Sequence, residues 1–275
     1  MFDRSGLAAL SDLRAPGYDV LFAQLEGVQR EFLETAPQFR DPRYAWDTDT
    51  LHNWSRAWEY AYILHHLSTV TLSLSKRHDN AAPTGIDFGS GSTFFPFAVA
   101  RLGVNLVCFD NDPVVVGDLQ TATQKLSTGS GTIEVRHSSE KLPAEDASAD
   151  FGYSVSVLEH MPNPVPIVAE IARVLKPGAH FVLTMDLDVE GSSGVSPQHY
   201  DGLRKQLESA FDWVYPDRVN HPLDVLTSKN SPWPRPGENK VPGLLFRDKT
   251  GRLRPLIGGP NPGVLTVYGC VLRRK

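Results

Sequence analysis

Beyond residue 84 the chain alternates short β-forming runs with amphipathic stretches long enough for helices, and this alternation constrains the fold more than any other feature. Strands separated by helices cannot pair as hairpins. They run parallel in one sheet, with helices covering both of its faces. The run GIDF (85–88) passes through a Gly-rich turn into a helix that stops at Gly103, a C′ glycine. VNLVCF (104–109) is the second strand, after which Asp112 as N-cap and Pro113 at the first helical position start another helix. TIEVRH (132–137) and FGYSVSV (151–157) follow. Asn163-Pro164 opens the next helix, and Lys176-Pro177-Gly178 turns into the strand HFVLTMD (180–186). Ser196-Pro197 caps a further helix before a strand around Asp212–Tyr215, and VLTVYGCVLR ends the chain as a long strand. No helical period separates these last two, so they are read as antiparallel to each other.

Residues 1–80 read as a helical cap over a following domain at 81–275. In the run from Tyr18 to Thr35, Leu21, Leu25, Val28 and Phe32 recur at helical steps, and Trp54, Trp58, Ala61 and Leu64 form one stripe of a second helix. No strand signal is seen here. Within the larger domain, residues 216–262 hold nine of the 21 prolines. A connection this long is normally functional or disordered. The segment SPWPRPG (231–237) reads as a stiff, aromatic-bearing wall, and RDKTG (247–251) as a small hairpin turn.

Composition excludes several classes. With 41% hydrophobic and 21% charged residues the chain can bury a core and is not intrinsically disordered. A net charge of −5 without a basic face argues against nucleic acid as partner. The start, MFDRSGLAAL, has no apolar h-region, and no apolar stretch nears the ~18 residues of a membrane span. Cys108 and Cys270 sit in apolar runs without metal spacing and read as buried thiols of a reducing compartment. A soluble, cytoplasmic protein without a membrane partner is expected; oligomeric state is not legible.

The chemistry concentrates in GIDFGSGSTFF (85–95). A strand ends at Asp87, Gly89 and Gly91 let the backbone turn tightly against a ligand, and a helix follows, as in the nucleoside pocket of a Rossmann-like sheet. Asp110, 23 positions after Asp87 at the tip of the second strand, is placed to accept both ribose hydroxyls. Phe94 stands where a dinucleotide fingerprint needs its third glycine, and Phe94, Phe95 and Pro96 crowd the helix N-terminus where a pyrophosphate would sit. Asp87 would repel phosphate but favour an ammonium. The ligand reads as a nucleoside with a cationic amino-acid tail.

These residues, with CFDNDP (108–113), SSEKLPAEDASADF (138–151) and VLEHMPNP…ARVLKPGAHFVLT (157–184), resemble a class I S-adenosylmethionine-dependent methyltransferase over about a hundred residues. The resemblance implies an α/β fold: a seven-stranded, doubly wound, mostly parallel sheet with an antiparallel last strand. It also implies S-adenosyl-L-methionine as cofactor, with Asp87, Gly89, Ser90 and Gly91 at the methionine moiety and Asp110 and Asn111 at the ribose. Ser139 and Glu140 would lie along the adenine. Ser156, Arg56 and Tyr60 complete the candidate cofactor set, Arg being suited to bidentate carboxylate binding. Two departures stand out. Thr93 replaces a third glycine found in many relatives, for which a wider turn is expected, and Ser138 replaces an Asp that accepts from the adenine amino group.

Methyl transfer from a sulfonium needs positioning above all, and a base only where the acceptor must lose a proton. His160, with Glu159 beside it at the mouth of the fourth strand, is the first choice. Asp186 and Asp188 follow the fifth strand and, with Glu159 and His160, are the candidates for an oxygen-rich metal site. The Glu-x-x-Glu-His pattern of ubiquinone-pathway O-methyltransferases is only half present, because Ser156 takes its first acid, and a solvated acidic rim is favoured over a metal. Arg56, Glu59 and Tyr60 are candidates to reach the ligand. His65 and His66 are adjacent on a helix, which disfavours a shared metal. The expected activity is methyl transfer to an oxygen or nitrogen of a small-molecule acceptor. An NAD(P)-linked oxidoreductase or epimerase is the first alternative, but Tyr200 has Arg204 where its Tyr-x-x-x-Lys couple needs lysine. A non-catalytic nucleoside-binding relative is the second.

Overall fold

In the computed structural model, which describes residues 2–76, 81–138, 141–161, 163–189, 197–233, 245–247, 253–255 and 264–275, the alternation becomes a doubly wound sheet. The first elements are β1 (Ser5–Leu7), α1 (Tyr18–Thr35) and α2 (Arg56–Leu74). The crossover region holds β2 (Thr84–Phe88), α3 (Phe95–Ala100), β3 (Asn105–Asp110), α4 (Pro113–Thr123) and β4 (Thr132–His137). It continues with β5 (Ala149–Val155), α5 (Val165–Val174), β6 (Leu175–Asp188) and α6 (Pro197–Ala210). The last part has β7 (Phe211–Trp213), β8 (Asp217–Arg218), β9 (Leu245–Arg247), β10 (Leu253–Pro255) and β11 (Leu265–Arg274).

Strands β4, β3, β2, β5 and β6 pair in that order, all parallel. β11 runs antiparallel to β6, from Leu265 opposite Asp188 to Arg273 opposite His180, and β7 pairs antiparallel with the end of β11. All seven strands read from the sequence are present, but the sheet has nine. The free edge of β11 also takes β1, with Gly6 opposite Gly269, and β8 lies outside β1. Strands of three and two residues are too short to show an alternating period, so the stretch read as strand-free contributes one. The turn read at Lys176–Gly178 lies inside β6 as an irregularity: Ala149 and Phe151 of β5 face Leu175 and His180. β9 and β10 form a separate antiparallel ribbon; the turn joining them, the 234–237 part of the aromatic wall and Ser196 lie outside the described residues.

Local chemistry sets the crossovers. The Asp112 carboxylate accepts from the Val114 amide at 2.9 Å and Pro113 follows it, which starts α4. Helices α5 and α6 cover one face through Ile167, Ile171, Phe181 and Leu207. α2, α3 and α4 cover the other through Trp58, Phe97, Leu119 and Val182, and α1 packs outside α2 and α3. Helix α2 is buried nearly all round, beyond the single stripe read from its tryptophans, because it lies between the sheet and α1. Its Trp58 and Tyr62 rest on Gly269 of β11, where a Cβ would come within 2.8 Å of the Trp58 ring. No helix among the described residues is long and apolar enough to cross a membrane, and both cysteines are buried and free.

The segment leading from β1 is fastened to α2 by one carboxylate. Asp12 Oδ2 accepts from Arg4 Nη2 at 2.5 Å, Trp58 Nε1 at 2.8 Å and the Ala9 amide at 3.1 Å. Arg4 and Asp12 are both buried. Removing one partner of a buried ion pair leaves an uncompensated charge. Asp12→Ala is therefore expected to destabilise the fold by about 3–5 kcal/mol, measured by chemical denaturation against wild type.

Candidate functional site

β2 and β3 are in register, Asp87 opposite Cys108 and Phe88 opposite Phe109, so the acids at their carboxyl ends reach the same sheet edge. The turn between β2 and α3 is strapped to β3: the Gly89 and Ser90 amides both donate to the Phe109 carbonyl, at 2.9 and 3.2 Å. Gly89 and Gly91 have φ of +74° and +57°, and a Cβ on Gly89 would lie 2.4 Å from a Val157 methyl. Thr93 follows this turn. It is not among the positive-φ residues, and its hydroxyl accepts from the Phe95 amide at 3.4 Å at the start of α3.

A cavity of about 680 Å³ opens over this edge. Asp87, Gly89, Ser90, Gly91, Asp110 and Asn111 line it, as do Arg56, Tyr60, Ser138, Ser156 and His160. Ser139 and Glu140 lie outside the described residues. Asp110 accepts from the Gly91 amide with Oδ2 and the Asp112 amide with Oδ1, both at 3.0 Å, which aims the carboxylate into the cavity. Burial raises its pKa against those bonds. Asp87 is 2% exposed and accepts from the Tyr153 hydroxyl at 2.8 Å. Burial pushes its pKa up to about 8; the Tyr153 bond opposes this and the Asp110 charge adds to it. Ser90 Oγ is buried with no hydrogen-bond partner in the protein.

The second group of candidates divides. Arg56 lines the cavity and donates through Nη1 to Glu59, whose side chain is fully buried and lines no part of it. Glu59, read as able to reach a ligand, therefore lies behind Arg56. Tyr60 stacks on Phe95 at 4.5 Å between centroids. Ser138, read as an acceptor for the adenine amino group, turns its hydroxyl to the Lys141 carbonyl at 3.3 Å. His160 is on the cavity rim with a 62% exposed side chain, and burial of its ring and the Arg56 charge hold its pKa below the usual imidazole value. Glu159 is buried and faces away from the cavity, 4.0 Å from the His160 ring, its Oε1 accepting the Asp186 amide at 2.8 Å. Burial, then the Asp186 charge, raises its pKa well above the ordinary value. Asp186 and Asp188 do not line the cavity, and no three of Glu159, His160, Asp186 and Asp188 converge at ligand distance.

Among the described residues the one three-member grouping of metal-ligand types is Asp3, His65 and His66, none of which lines the cavity. Both histidines meet the N-terminal segment, because it crosses the helix face: His65 Nε2 is 3.3 Å from Asp3 and His66 Nε2 is 2.9 Å from the Phe2 carbonyl. Sequence reasoning missed another wall of the cavity: Tyr44, Trp46, Asp47, Thr50 and Asn53, from the segment joining α1 to α2. Arg40 anchors that segment, donating to Asp118 of α4 and the Ser92 carbonyl, each at 3.0 Å, and Trp46 is 67% exposed. A non-periodic loop carries no signal beyond its aromatic residues.

A parallel sheet with a glycine turn after its central strand and an acid at the tip of the next defines a Rossmann-like nucleoside-binding domain. Residues 86–183 match the methyltransferase domain family. An uncharacterized methyltransferase of Mycobacterium avium is 36% identical over 124 residues, 44% of this chain and 47% of that protein. One from Mycolicibacterium paratuberculosis is 34% identical over 130 residues, 46% and 49% of the two chains. The chain spans about half the length of these curated relatives. Among solved structures, a SAM dependent methyltransferase from Aquifex aeolicus aligns with a TM-score of 0.48 at 14% identity, over 86% of this chain and 97% of that one. Residues 86–183 thus match a methyltransferase domain, the class to which the sequence motifs also point.

The raised pKa of Asp87 has a consequence for the ligand-free fold. Between the ordinary value near 3.8 and the folded value of about 8, the native state holds the proton more tightly than the unfolded chain. Stability therefore falls as pH rises through that window, by at most about 1.4 kcal/mol per pH unit. Asp87→Asn should raise the thermal midpoint at pH 7–8 and leave it unchanged near pH 4, as read by calorimetry without ligand.

Proposed function

We propose that the protein transfers a methyl group from S-adenosylmethionine to an oxygen or nitrogen of a small-molecule acceptor. The observation that carries this reading is the pairing of Asp87 and Asp110 across one glycine turn in a single cavity. The residues fit the cofactor. Asp87 is a buried carboxylate that an ammonium would neutralise, and Asp110 has lone pairs left for two ribose hydroxyls. The unpartnered Ser90 hydroxyl and the cradle at Gly89 leave room for a ligand against the backbone. Arg56, across the cavity, meets the carboxylate of the amino-acid end, and Ser156 and Tyr60 complete that wall. When bound, the cofactor supplies an activated methyl on a sulfonium, and the chain's part is to orient it and exclude water.

His160 takes the acceptor's proton. It lines the cavity, and its lowered pKa leaves the imidazole neutral and able to accept at pH 7. Glu159, its pKa raised by burial, steadies the turn under His160 through the Asp186 amide. The helical segment before residue 80 serves as one wall of the acceptor side, with Trp46 and Asn53 over the opening. The acidic net charge favours a small acceptor over nucleic acid, and two free thiols suit work in the cytoplasm.

Isothermal titration calorimetry tests the reading. S-adenosylhomocysteine should bind and NADH should not, and Asp110→Ala should weaken the first by roughly 30-fold or more through lost charge-assisted bonds. An ammonium beside Asp87 lowers its pKa, so binding below pH 8 releases about one proton and affinity rises with pH until about 8. Titrations in buffers of different ionisation enthalpy measure that proton. Folded protein that gives no heat with either the methyl donor or its demethylated product overturns the proposal.

A further inference from the structure

Glu59 is a carboxylate with 0% exposure in a layer built mainly from apolar side chains such as Trp58, Tyr62 and Val182. Burying a charge there is unfavourable unless its oxygens are fully engaged. Three donors from three elements engage them. Arg56 of the first turn of α2 donates to Oε2, and the Ser156 and Thr184 hydroxyls donate to Oε1 at 2.5 and 2.7 Å. Ser156 is the residue just past the end of β5, and Thr184 lies within β6, the strand paired with β5. Of these residues Arg56 and Ser156 border the cavity, while Glu59 and Thr184 do not.

The arrangement is a relay from sheet to ligand. One hydroxyl within β6 and one just past the end of β5 fix one carboxylate oxygen, and the other oxygen fixes the guanidinium. A free arginine side chain has many rotamers and loses that freedom on binding a ligand. One held by a buried partner has already lost it and keeps further N–H groups for the ligand. We propose that Glu59 is a positioning residue that aims Arg56 at the carboxylate of the methyl donor's amino-acid end. The inference rests on the reading of the cavity as the S-adenosylmethionine site.

The test is calorimetry with two ligands, S-adenosylhomocysteine and 5′-methylthioadenosine, which keeps the thioether nucleoside but lacks the amino-acid end. Glu59→Gln should weaken the first roughly 10- to 100-fold and leave the second within about twofold of wild type. Arg56→Met should show the same selectivity, and adding Glu59→Gln to it should give no further loss, because Glu59 acts through Arg56. Thr184→Val removes one donor to Glu59 away from the cavity, and should give a smaller loss confined to S-adenosylhomocysteine. Equal weakening of both ligands, no weakening of either, or losses that multiply in the double variant would overturn the role of Glu59. Should Glu59→Gln fail to fold, Thr184→Val decides by the same ligand comparison. Wild-type protein that binds neither ligand overturns the reading of the cavity itself, whereas wild-type binding that Glu59→Gln leaves unchanged overturns only this inference.

Discussion

Asp87 and Asp110 stand at the carboxyl ends of neighbouring parallel strands, and the register between those strands brings both acids to one sheet edge, Asp87 buried and Asp110 half-buried at the cavity. Parallel pairing imposes this: crossover helices return every strand with its carboxyl end on the same side, so the loops that follow share one crevice. Once Asp87 is covered, its carboxylate has Tyr153 and little else, and the nearby acid works against ionisation. A site of this kind prefers a ligand that brings a positive charge next to a nucleoside sugar. The glycine turn is subordinate to that preference. It lets the backbone run close to Val157 and sends the Gly91 amide to Asp110, so that acid faces the cavity in a fixed direction.

The opposite wall comes from the start of the chain, and it is held to the sheet by polar contacts as well as by packing. β1 is a strand of the same sheet, Asp12 ties the segment after it to Trp58, and α2 lies directly on β11. Glu59 adds the contact that matters for the cavity, because the hydroxyls it holds stand on the strand ends that frame the site. Arg40 does the same for the Tyr44–Asn53 segment through Asp118. The N-terminal helices thus share a frame with the acids they face, which limits how far Arg56 and Asp87 can drift apart.

The crossovers were legible because their chemistry is local. Asp112 and Pro113 start α4 as their types dictate, and the periodic run in α1 spans Tyr18–Thr35, whereas α3 stops at Ala100 and Gly103, at φ +81°, closes the turn after it. β1 and β8 were not, since two or three residues carry no period and their pairing depends on residues distant in sequence, Gly6 meeting Gly269 on one side and Arg218 on the other. Glu59 was read as facing a ligand because spacing places it one turn from Arg56. Its burial depends on β5 and β6, which a helical wheel does not contain. Thr93 was expected to widen the turn; the two glycines before it take the left-handed positions, and its own hydroxyl accepts from the Phe95 amide.

Glu159 and His160 show how adjacent residues acquire different roles from their surroundings. The 3-10 turn at Leu158–His160 buries the first side chain against β6 and leaves the second at the cavity rim. Burial acts on the two in opposite directions, raising the pKa of Glu159 and lowering that of His160. For His160 the Arg56 charge acts in the same direction as burial, and the charge of Glu59 acts against both. A neutral imidazole has a lone pair for an incoming proton, and an imidazolium has none. Arg56 therefore has two effects at the cavity, as the ion-pair partner of buried Glu59 and as a charge that lowers the pKa of His160. Glu59 opposes the second effect while it holds the guanidinium that produces it.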